Sequence, residues 1–237
     1  MGNFRRISKK YYVRQFVTCM LVYIMLLGMP VQVALAYIGD GGGGIPVAGD
    51  ATITAPGGTN NALIDMITER AVINWQDFDT DVGQLAEFIK SSGGNFAVLN
   101  RVIGGNQTSF LGDLKALNGD VFVINTRGIV FGPDSYIQAR NFVASGIDMS
   151  NNDFMVPDGQ FAFQRNSSGY ANDELIGNIT NNGIDTGHGI HADQVALIGR
   201  NVTNKGLISA PGGAVVMAAG EAVYLNQFGS NVSVEVS

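Results

Sequence analysis

The sequence is poor in the residues that most often carry chemistry. Its 237 residues include one cysteine, two histidines and one tryptophan. The cysteine, Cys19, lies in an N-terminal segment that we predict to be removed, so the remaining protein would have neither a thiol nor a disulfide. An exported protein without disulfides needs a core large enough to be stable by itself, which excludes the small disulfide-stapled scaffolds.

The first 36 residues have the three parts of a secretory signal peptide. Five basic residues and no acidic one precede an apolar run over residues 16–27, and a small-x-small cleavage site lies at Ala34 and Ala36. The apolar run is shorter than the roughly 20 residues that cross a bilayer, and Pro30 lies just beyond its end. We therefore predict a signal peptide over residues 1–36, cleaved after Ala36, rather than a membrane anchor.

Basic residues are scarce in the rest of the chain. Five of the 14 lysines and arginines lie in the predicted signal, so nine remain against 20 acidic residues, a formal charge of −11. No cluster of Lys and Arg is left, and nucleic acid and anionic lipid bind to such clusters. We expect no nucleic-acid partner.

Asparagine and glycine, in contrast, are abundant and recur in related stretches. Residues 178–184 (NITNNGI) reappear 23 residues later as residues 201–207 (NVTNKGL). Residues 53–58 (ITAPGG) similarly match residues 208–213 (ISAPGG), and Pro-Gly suits the centre of a type II turn. A period in the low twenties indicates a solenoid of stacked β-coils.

The repeat predicts which side chains stack along the solenoid. Each coil lies about 4.8 Å above the previous one, so Asn178 and Asn201 would form an amide ladder. Gly183 and Gly206 would supply the turn, with positive φ.

The remaining chain has the pattern of short strands separated by turn residues. The clearest strand candidates are β-branched or aromatic and are bounded by Gly, Asn, Asp or Pro; they are residues 71–75, 96–99, 121–124, 129–131, 194–198 and 214–218. Residues 62–69 and 85–90 fit either a helical turn or a strand. At about 22 residues per coil the chain would form about nine coils. Residues 151–170 break the rhythm, and we predict a hairpin there, outside or against the stack.

Several motifs, taken in order, resemble a known family. They are residues 74–78 (NWQDF), 98–105 (VLNRVIGG), 119–125 (GDVFVIN), 128–132 (GIVFG), 143–148 (VASGID) with 153–154 (DF), and 216–220 (VMAAG). Together they resemble the amino-terminal two-partner secretion domain, or haemagglutination activity domain, of filamentous haemagglutinin-like exoproteins of Gram-negative bacteria. The resemblance covers nearly all of residues 50–225.

The resemblance implies a fold and a domain organisation. The fold is all-β: a right-handed, single-stranded parallel β-helix with an N-terminal cap and an extra-helical hairpin. The β-helix domain would occupy residues 51–228, after a flexible Gly-rich lead at 37–50. Residues 229–237 would be a C-terminal tail or a truncation point. Members of the family run far beyond this length, so a truncated frame, a fragment and a naturally short form are all open.

The resemblance also implies a function in export. An outer-membrane β-barrel transporter with periplasmic recognition domains would recognise the domain, whose folding at the cell surface would template the β-helix of an adhesin-like exoprotein. The product would be secreted or held at the cell surface. Any contact with host-cell or surface glycans would belong to a missing passenger.

The same motifs supply the candidate functional residues, which would either be recognised by the transporter or hold the structure together: Asn74, Trp75, Asn100, Arg101, Asn125 and Gly128. The family commonly has Asn-Pro-Asn-Gly where this chain has Asn125-Thr-Arg-Gly128. A tight turn is still expected there, although the proline that presets φ is absent.

The sequence offers little support for catalysis. Asp77, Asp79 and Asp81 alternate, but they lack the EF-hand pattern and predict a solvated strand face. The only histidines, His188 and His191, predict exposed turn residues on opposite faces. We expect no enzyme activity, no cofactor and no metal. The alternatives are a short autonomous carbohydrate-binding protein or polysaccharide lyase on the same fold, and a toxin precursor that has lost its downstream module.

Overall fold

The computed structural model describes residues 43–54, 61–156, 160–184 and 187–226, and the backbone of residues 234–236. The predicted signal peptide, its cleavage site at Ala34 and Ala36, and most of the predicted lead lie outside the described residues. In the described ranges, no helix has the length and apolar character needed to cross a membrane.

The described chain consists almost entirely of β-strands, with one short helix. In chain order the elements are β1 Ile45–Ala48, β2 Ala51–Thr54, β3 Ala62–Met66, β4 Arg70–Trp75, β5 Leu85–Ile89, β6 Phe96–Val102, β7 Thr108–Phe110, β8 Asp113–Ile124, β9 Ile129–Phe131, β10 Tyr136–Ser145, α1 Asn151–Met155, β11 Phe161–Gln164, β12 Ile179–Asn181, β13 Gly189–His191, β14 Gln194–Gly199, β15 Val202–Asn204, β16 Ile208–Ser209, β17 Val215–Ala219, β18 Ala222–Leu225 and β19 Val234–Val236. The strands predicted from sequence are confirmed. The two ambiguous segments at 62–69 and 85–90 form the paired strands β3 and β5.

Three ladders of parallel strands form the walls of the β-helix. The first runs β4-β6-β8-β10-β14-β17, and the second runs β3-β5-β8-β10-β13-β16 through the first halves of the long strands β8 and β10. The third runs β7-β9-β12-β15. The predicted parallel β-helix is therefore confirmed, and paired residues lie over one another in neighbouring coils, with one register shift between β8 and β10 at Ala139 and Asn141.

The described residues form fewer coils than the roughly nine expected from the repeat length. Six strands stack in the first ladder within the described ranges. The difference arises because part of the chain is not wound into the helix. Residues 43–54 contribute antiparallel cap strands, and the segment between β10 and β14 leaves the stack.

An antiparallel cap closes the N-terminal end, as the resemblance implies. β1 pairs antiparallel with β4, and β2 pairs antiparallel with β3. The prediction of a flexible lead up to residue 50 is therefore wrong for residues 45–48, which form β1. Gly44 lies so close to the Trp75 ring that a Cβ there would be 2.5 Å from it. A side chain at this position would push the cap off the core.

A column of aromatic side chains runs from the cap into the interior. Trp75 packs on Phe78 at 4.8 Å between ring centroids, and Phe78 packs edge-on against Phe110 at 5.6 Å. Phe110 stacks on Phe131 at 5.4 Å, which meets Phe142 at 5.8 Å. All five rings are buried. Offset and edge-to-face ring contacts of this kind add to the stabilisation from burial, so the first coils have a firmly packed core.

The extra-helical element differs from the hairpin predicted within residues 151–170. Residues 151–155 form α1, whose N-cap Ser150 accepts a hydrogen bond from the Asp153 N–H at 3.0 Å. β11 pairs antiparallel with β18, far along the chain, and β18 pairs antiparallel with β19. Residues 234–236, within the predicted C-terminal tail, thus form a strand of this sheet. Phe161 and Phe163 draw β11 onto this sheet because both are buried in a second apolar cluster beneath it.

The turn at residues 210–213 confirms one predicted corner. The Gly213 N–H donates to the Ala210 carbonyl at 3.2 Å, and Gly212 has φ of +75°. Positive φ at the third turn residue after a proline is the type II geometry. Residues 55–60 of the matching stretch lie outside the described residues.

Candidate functional site

Four candidate residues meet at one end of the first two coils. Strand register places Ile73 beside Asn100 and Asn74 beside Arg101. The Trp75 Nε1–H donates to Asn100 Oδ1 at 3.0 Å, and Asn100 Nδ2 donates to the Phe122 carbonyl at 3.3 Å. A buried indole N–H without an acceptor is costly, so Asn100 is the polar partner that allows Trp75 to fill the core.

Arg101 is the centre of a buried polar clamp. Its Nε lies 2.9 and 3.1 Å from the two carboxylate oxygens of Asp148. Its Nη1 donates to Asn151 Oδ1 at 2.7 Å and to Asn74 Oδ1 at 3.4 Å, and its Nη2 donates to the Met149 carbonyl at 2.6 Å. Only 1% of Arg101 is exposed. A planar guanidinium can serve acceptors in several directions at once, which an ammonium group cannot.

The clamp fastens the extra-helical element to the coils. Asp148, Met149 and Asn151 lie at the start of that element, and the Tyr170 ring covers the guanidinium with Arg101 Cζ 4.8 Å from its centroid. Arg70, one coil earlier, acts in the same way: its Nη1 donates to the Phe154 carbonyl at 2.7 Å. Sequence reasoning selects Arg101 from the family motif but misses Asp148 as its ion-pair partner.

Asn125 and Gly128 form a tight turn without the family's proline. The Gly128 N–H donates to the Asn125 carbonyl at 2.8 Å, and Asn125 Oδ1 accepts from the Arg127 N–H at 2.8 Å. The Asn125 side chain therefore mimics a backbone turn and replaces the preset geometry that proline would supply. Asn125 Nδ2 also donates to Thr108 Oγ1 and to the Asn106 carbonyl, both at 2.9 Å.

Gly128 is required by both its conformation and its surroundings. Its φ is +108°, and a Cβ there would lie 2.8 Å from the Asn178 carbonyl oxygen and 2.8 Å from Gln107 Nε2. Arg127, exposed at the turn, reaches out of the coil and donates to Asn172 Oδ1 at 2.7 Å. The turn thus adds a further contact between the coils and the extra-helical element.

The candidate motif residues share burial in the folded domain. The described structure buries all six: Asn74, Trp75, Asn100, Arg101, Asn125 and Gly128. The folded domain therefore does not present them as a docking surface, and each has a structural role in packing, a turn or a hydrogen bond.

Two asparagine pairs link the last coils. Asn201 Nδ2 donates to Asn178 Oδ1 at 3.1 Å, and three residues further Asn181 Nδ2 donates to Asn204 Oδ1 at 2.8 Å. Sequence reasoning singles out the first pair and misses the second, although the second Asn of each repeat was the available signal. The second pair is the interior one, because Asn181 is fully buried.

The prediction of positive φ at Gly183 and Gly206 is wrong. Among the described residues, neither has φ in the left-handed region. Close backbone contacts explain both glycines: Gly206 lies against Gly183 of the adjacent coil, and Gly183 lies against Gly189 of its own coil. A Cβ on Gly206 would lie 2.2 Å from the Gly183 carbonyl oxygen, and one on Gly183 would lie 2.5 Å from the Gly189 Cα.

The aspartates at 77, 79 and 81 lie outside regular strands, apart from an isolated bridge at Thr80. Asp79 Oδ1 accepts from the Ser109 N–H at 2.7 Å. Burial raises the pKa of Asp79; the hydrogen bond opposes this rise and the neighbouring aspartates add to it. In the described ranges, no three His, Cys, Asp or Glu side chains are grouped so that they could hold a metal.

The histidines are half-buried rather than exposed. His191 packs on the Tyr136 ring of the neighbouring coil at 4.9 Å, and its Nε2 lies 3.2 Å from the His188 carbonyl oxygen. Burial raises the pKa of Asp113, and this effect is partly offset by the charge of His188. The parallel pairing of β10 with β13 brings Tyr136 and His191 together, which their separation in the sequence does not reveal.

The C-terminal end of the stack is open within the described residues. β17 pairs with β14, β15 with β12, and β16 with β13, and none of the three has a second neighbour. Val215 and Met217 lie over the buried Val195 and Leu197 in the inner core column, yet they are 44% and 56% exposed. The apolar interior therefore reaches solvent at this end.

A parallel β-helix with an antiparallel N-terminal cap, an extra-helical sheet and an open C-terminal end defines a solenoid domain of the β-helix class. The sequence model of the TPS secretion domain matches residues 47–235. The chain belongs to the TPS secretion domain family, whose members are part of exported two-partner exoproteins. These findings point to a secretion domain and not to an enzyme.

Solved structures of secretion domains are similar to the chain. The HMW1 secretion domain from Haemophilus influenzae superposes with a TM-score of 0.65 and 28% identity, covering 84% of this chain and 49% of that chain. The filamentous hemagglutinin secretion domain gives a TM-score of 0.50 and 14% identity, over 81% of this chain and 67% of that chain, and supports the fold alone. The chain thus spans about half of the HMW1 chain it matches. The search of curated proteins gives no significant match.

Proposed function

We propose that this chain is the recognition and folding module of a longer exported protein. A signal peptide at residues 1–36, cleaved after Ala36, would deliver it to the periplasm. An outer-membrane β-barrel transporter with periplasmic domains would then engage the unfolded chain. Emerging at the cell surface, the domain would fold first and template the coils of an adhesin-like passenger, whose contacts with surface glycans would be its own.

The observation that carries this proposal is the difference between the two ends of the stack. The N-terminal end is covered by β1 and β2, and Trp75 beneath it is fully buried. At the other end, Val215 and Met217 continue the interior column but lie substantially exposed. Unpaired strand edges and an open apolar core favour addition of another coil. Further coils can therefore be added at the C-terminal end of the stack, because the cap covers the N-terminal end.

The buried candidate residues have a place in this proposal as parts of the folding nucleus. A transporter could read Asn74, Asn100 and Asn125 only before the chain folds, because folding buries them. Once folded, the Arg101 clamp and the Asn125 turn hold the first coils and the extra-helical element together. The same residues can therefore serve recognition of the unfolded chain and stability of the folded one.

Transporter-dependent export tests the proposal. The full chain with a C-terminal epitope would be expressed in a Gram-negative host with and without a two-partner outer-membrane transporter, and the medium assayed by immunoblot. We expect the epitope outside the cell only when the transporter is present. Equal amounts in the two media would contradict the proposal.

Variants separate recognition from folding. Asn125→Ala should lower export, whereas Lys115→Ala, which alters only an exposed ion pair with Glu87 at 3.8 Å, should leave export unchanged. Periplasmic Asn125→Ala chain that is protease-sensitive yet still bound by the transporter's periplasmic domains would assign this residue to folding. Loss of that binding would assign it to recognition.

A further inference from the structure

The interior asparagine pair, Asn181 and Asn204, shows how an asparagine is hydrogen-bonded when another coil is stacked on its own. Both ends of the Asn181 side-chain amide are hydrogen-bonded. Its Nδ2 donates to Asn204 Oδ1 at 2.8 Å and to the Leu207 carbonyl at 3.1 Å, and its Oδ1 accepts from the Gly183 N–H at 3.2 Å. The next coil, which contains Asn204 and Leu207, supplies two of these partners and completes the burial of Asn181.

Asn204 occupies the equivalent position one coil later, and among the described strands no further coil is stacked on it. β15 pairs only with β12 among the described strands, and Asn204 is exposed. Its Oδ1 accepts from Asn181, while its Nδ2 donates to no group in the described part of the chain. The ladder therefore ends on an amide donor that faces the open side of the stack.

The glycine two residues after each asparagine adds a steric requirement. The Lys205 N–H donates to the Asn181 carbonyl at 2.8 Å and the Leu207 N–H to the Gly183 carbonyl at 2.6 Å. These bonds bring the two backbones so close that a Cβ on Gly206 would lie 2.2 Å from the Gly183 oxygen. A further coil that repeats the packing needs a glycine over Gly206.

Resting on the proposed function, we propose that the open edge at β15 selects its next coil by chemistry. The partner is a parallel β-coil whose strand carries an Asn-x-Gly sequence, with the asparagine over Asn204 and the glycine over Gly206. The carbonyl of that asparagine accepts from Asn204 Nδ2, as Asn204 accepts from Asn181. An apolar residue in place of the incoming asparagine would bury the Asn204 side-chain N–H without an acceptor. A buried donor without an acceptor costs its full desolvation free energy.

An added coil tests this selection directly. The full chain, with Cys19→Ser, is extended after Ser237 by a flexible Gly-Ser linker and a copy of residues 200–219, which contains β15, β16 and β17. Thr203→Cys in the chain and the same change in the copy then report stacking, because Thr203 is exposed and pairs in register with Thr180. Stacked in-register Cα atoms about 4.8 Å apart lie within the range that a disulfide can bridge.

The measured quantity is the rate of intramolecular disulfide formation. The unaltered copy should cross-link faster than a scrambled copy of the same composition. Asn204→Ala made only in the copy should slow cross-linking about fivefold or more, the factor expected for one buried amide left without its partner. Lys205→Ala in the copy is the matched control and should leave the rate unchanged, because Lys205 is exposed.

The outcomes separate this inference from the proposed function. If the Asn204→Ala copy cross-links as fast as the unaltered copy and both exceed the scrambled one, coils stack but the asparagine does not select them, and the inference is overturned. If no copy exceeds the scrambled sequence, the edge does not template a coil and the proposed function fails with it. A slow Asn204→Ala copy beside a fast Lys205→Ala copy supports both.

Discussion

Replacing Arg101 tests whether the buried clamp holds the extra-helical element to the coils. Arg101→Met keeps the length and apolar stem of the side chain and removes every donor. It leaves Asp148, which is 3% exposed, without its cation and leaves the Asn151 and Met149 oxygens without their donors. The perturbation is therefore confined to the polar end of one side chain.

The expected loss is large because an uncompensated buried charge remains. Removing one partner of a buried ion pair costs about 3–5 kcal/mol of unfolding free energy. Arg101→Lys should lose most of the same amount, because a single ammonium cannot reach acceptors that lie on several sides of the guanidinium. Arg101→Met combined with Asp148→Leu should be less destabilising than the sum of the two single changes, with a coupling of about 1–3 kcal/mol.

Urea unfolding followed by tryptophan fluorescence measures these values. Trp75 is the only tryptophan in the chain, and it is buried beside Asn100, so its emission reports the first coils. Arg140→Met is the matched control. It breaks the Arg140–Asp120 pair, in which the side chains are 31% and 15% exposed, and it should cost about 1 kcal/mol or less. Equal losses for Arg101→Met and Arg140→Met, or strict additivity with Asp148→Leu, would refute the clamp.

Three further predictions concern single positions. Asn100→Leu should lower the unfolding free energy by about 1–3 kcal/mol, because the Trp75 N–H loses its acceptor; urea titration measures this. Gly128→Ala should lower the melting temperature more than Gly83→Ala, since both have positive φ but only Gly128 is crowded; equal shifts would mean that φ alone matters. Burial raises the pKa of Asp79 in the folded domain above its ordinary value of 3.8. As pH rises from 3.8 through the raised pKa, the charged carboxylate becomes buried, and the stability of the folded domain falls. Asp79→Asn should therefore stabilise the domain at pH 7, by less than about 1 kcal/mol, and the gain should vanish below about pH 4.

The sequence was sufficient for features that depend on local pattern or on the repeat. Short β-branched runs between turn residues predict the strands. The local pattern is enough because each strand in the stack has the same surroundings, a parallel strand in the adjacent coil. Pro211-Gly212 predicts its corner, because turn type depends on two adjacent residues. The 23-residue repeat predicts that Asn178 and Asn201 are vertical neighbours, and their side-chain amides are hydrogen-bonded at 3.1 Å.

Features that depend on how the chain leaves the stack could not be predicted in the same way. β11 pairs with β18, and Arg101 pairs with Asp148, because the segment between β10 and β14 folds back over the coils. No periodicity encodes the return path of such an excursion. The wrong prediction of positive φ at Gly183 and Gly206 has a related cause. Both resemble turn glycines in sequence, whereas the structure constrains them through close backbone contacts, with Gly189 of the same coil for Gly183 and with Gly183 of the adjacent coil for Gly206.

The positions of the clamps give the fold an order of assembly. Arg70 and Arg101 lie on β4 and β6, but their partners Phe154, Asp148 and Met149 come after β10 in the chain. The clamps can therefore close only after β8 and β10 have been added to the first ladder, since those strands connect the arginines to their partners. Coils that form early must be held by the cap and by the first part of the aromatic column, from Trp75 to Phe110, which precedes β8 in the chain. A domain that is stabilised from that end and left open at Asn204 and Met217 is arranged as the proposed function requires, with its unpaired strand edges at the end opposite the cap.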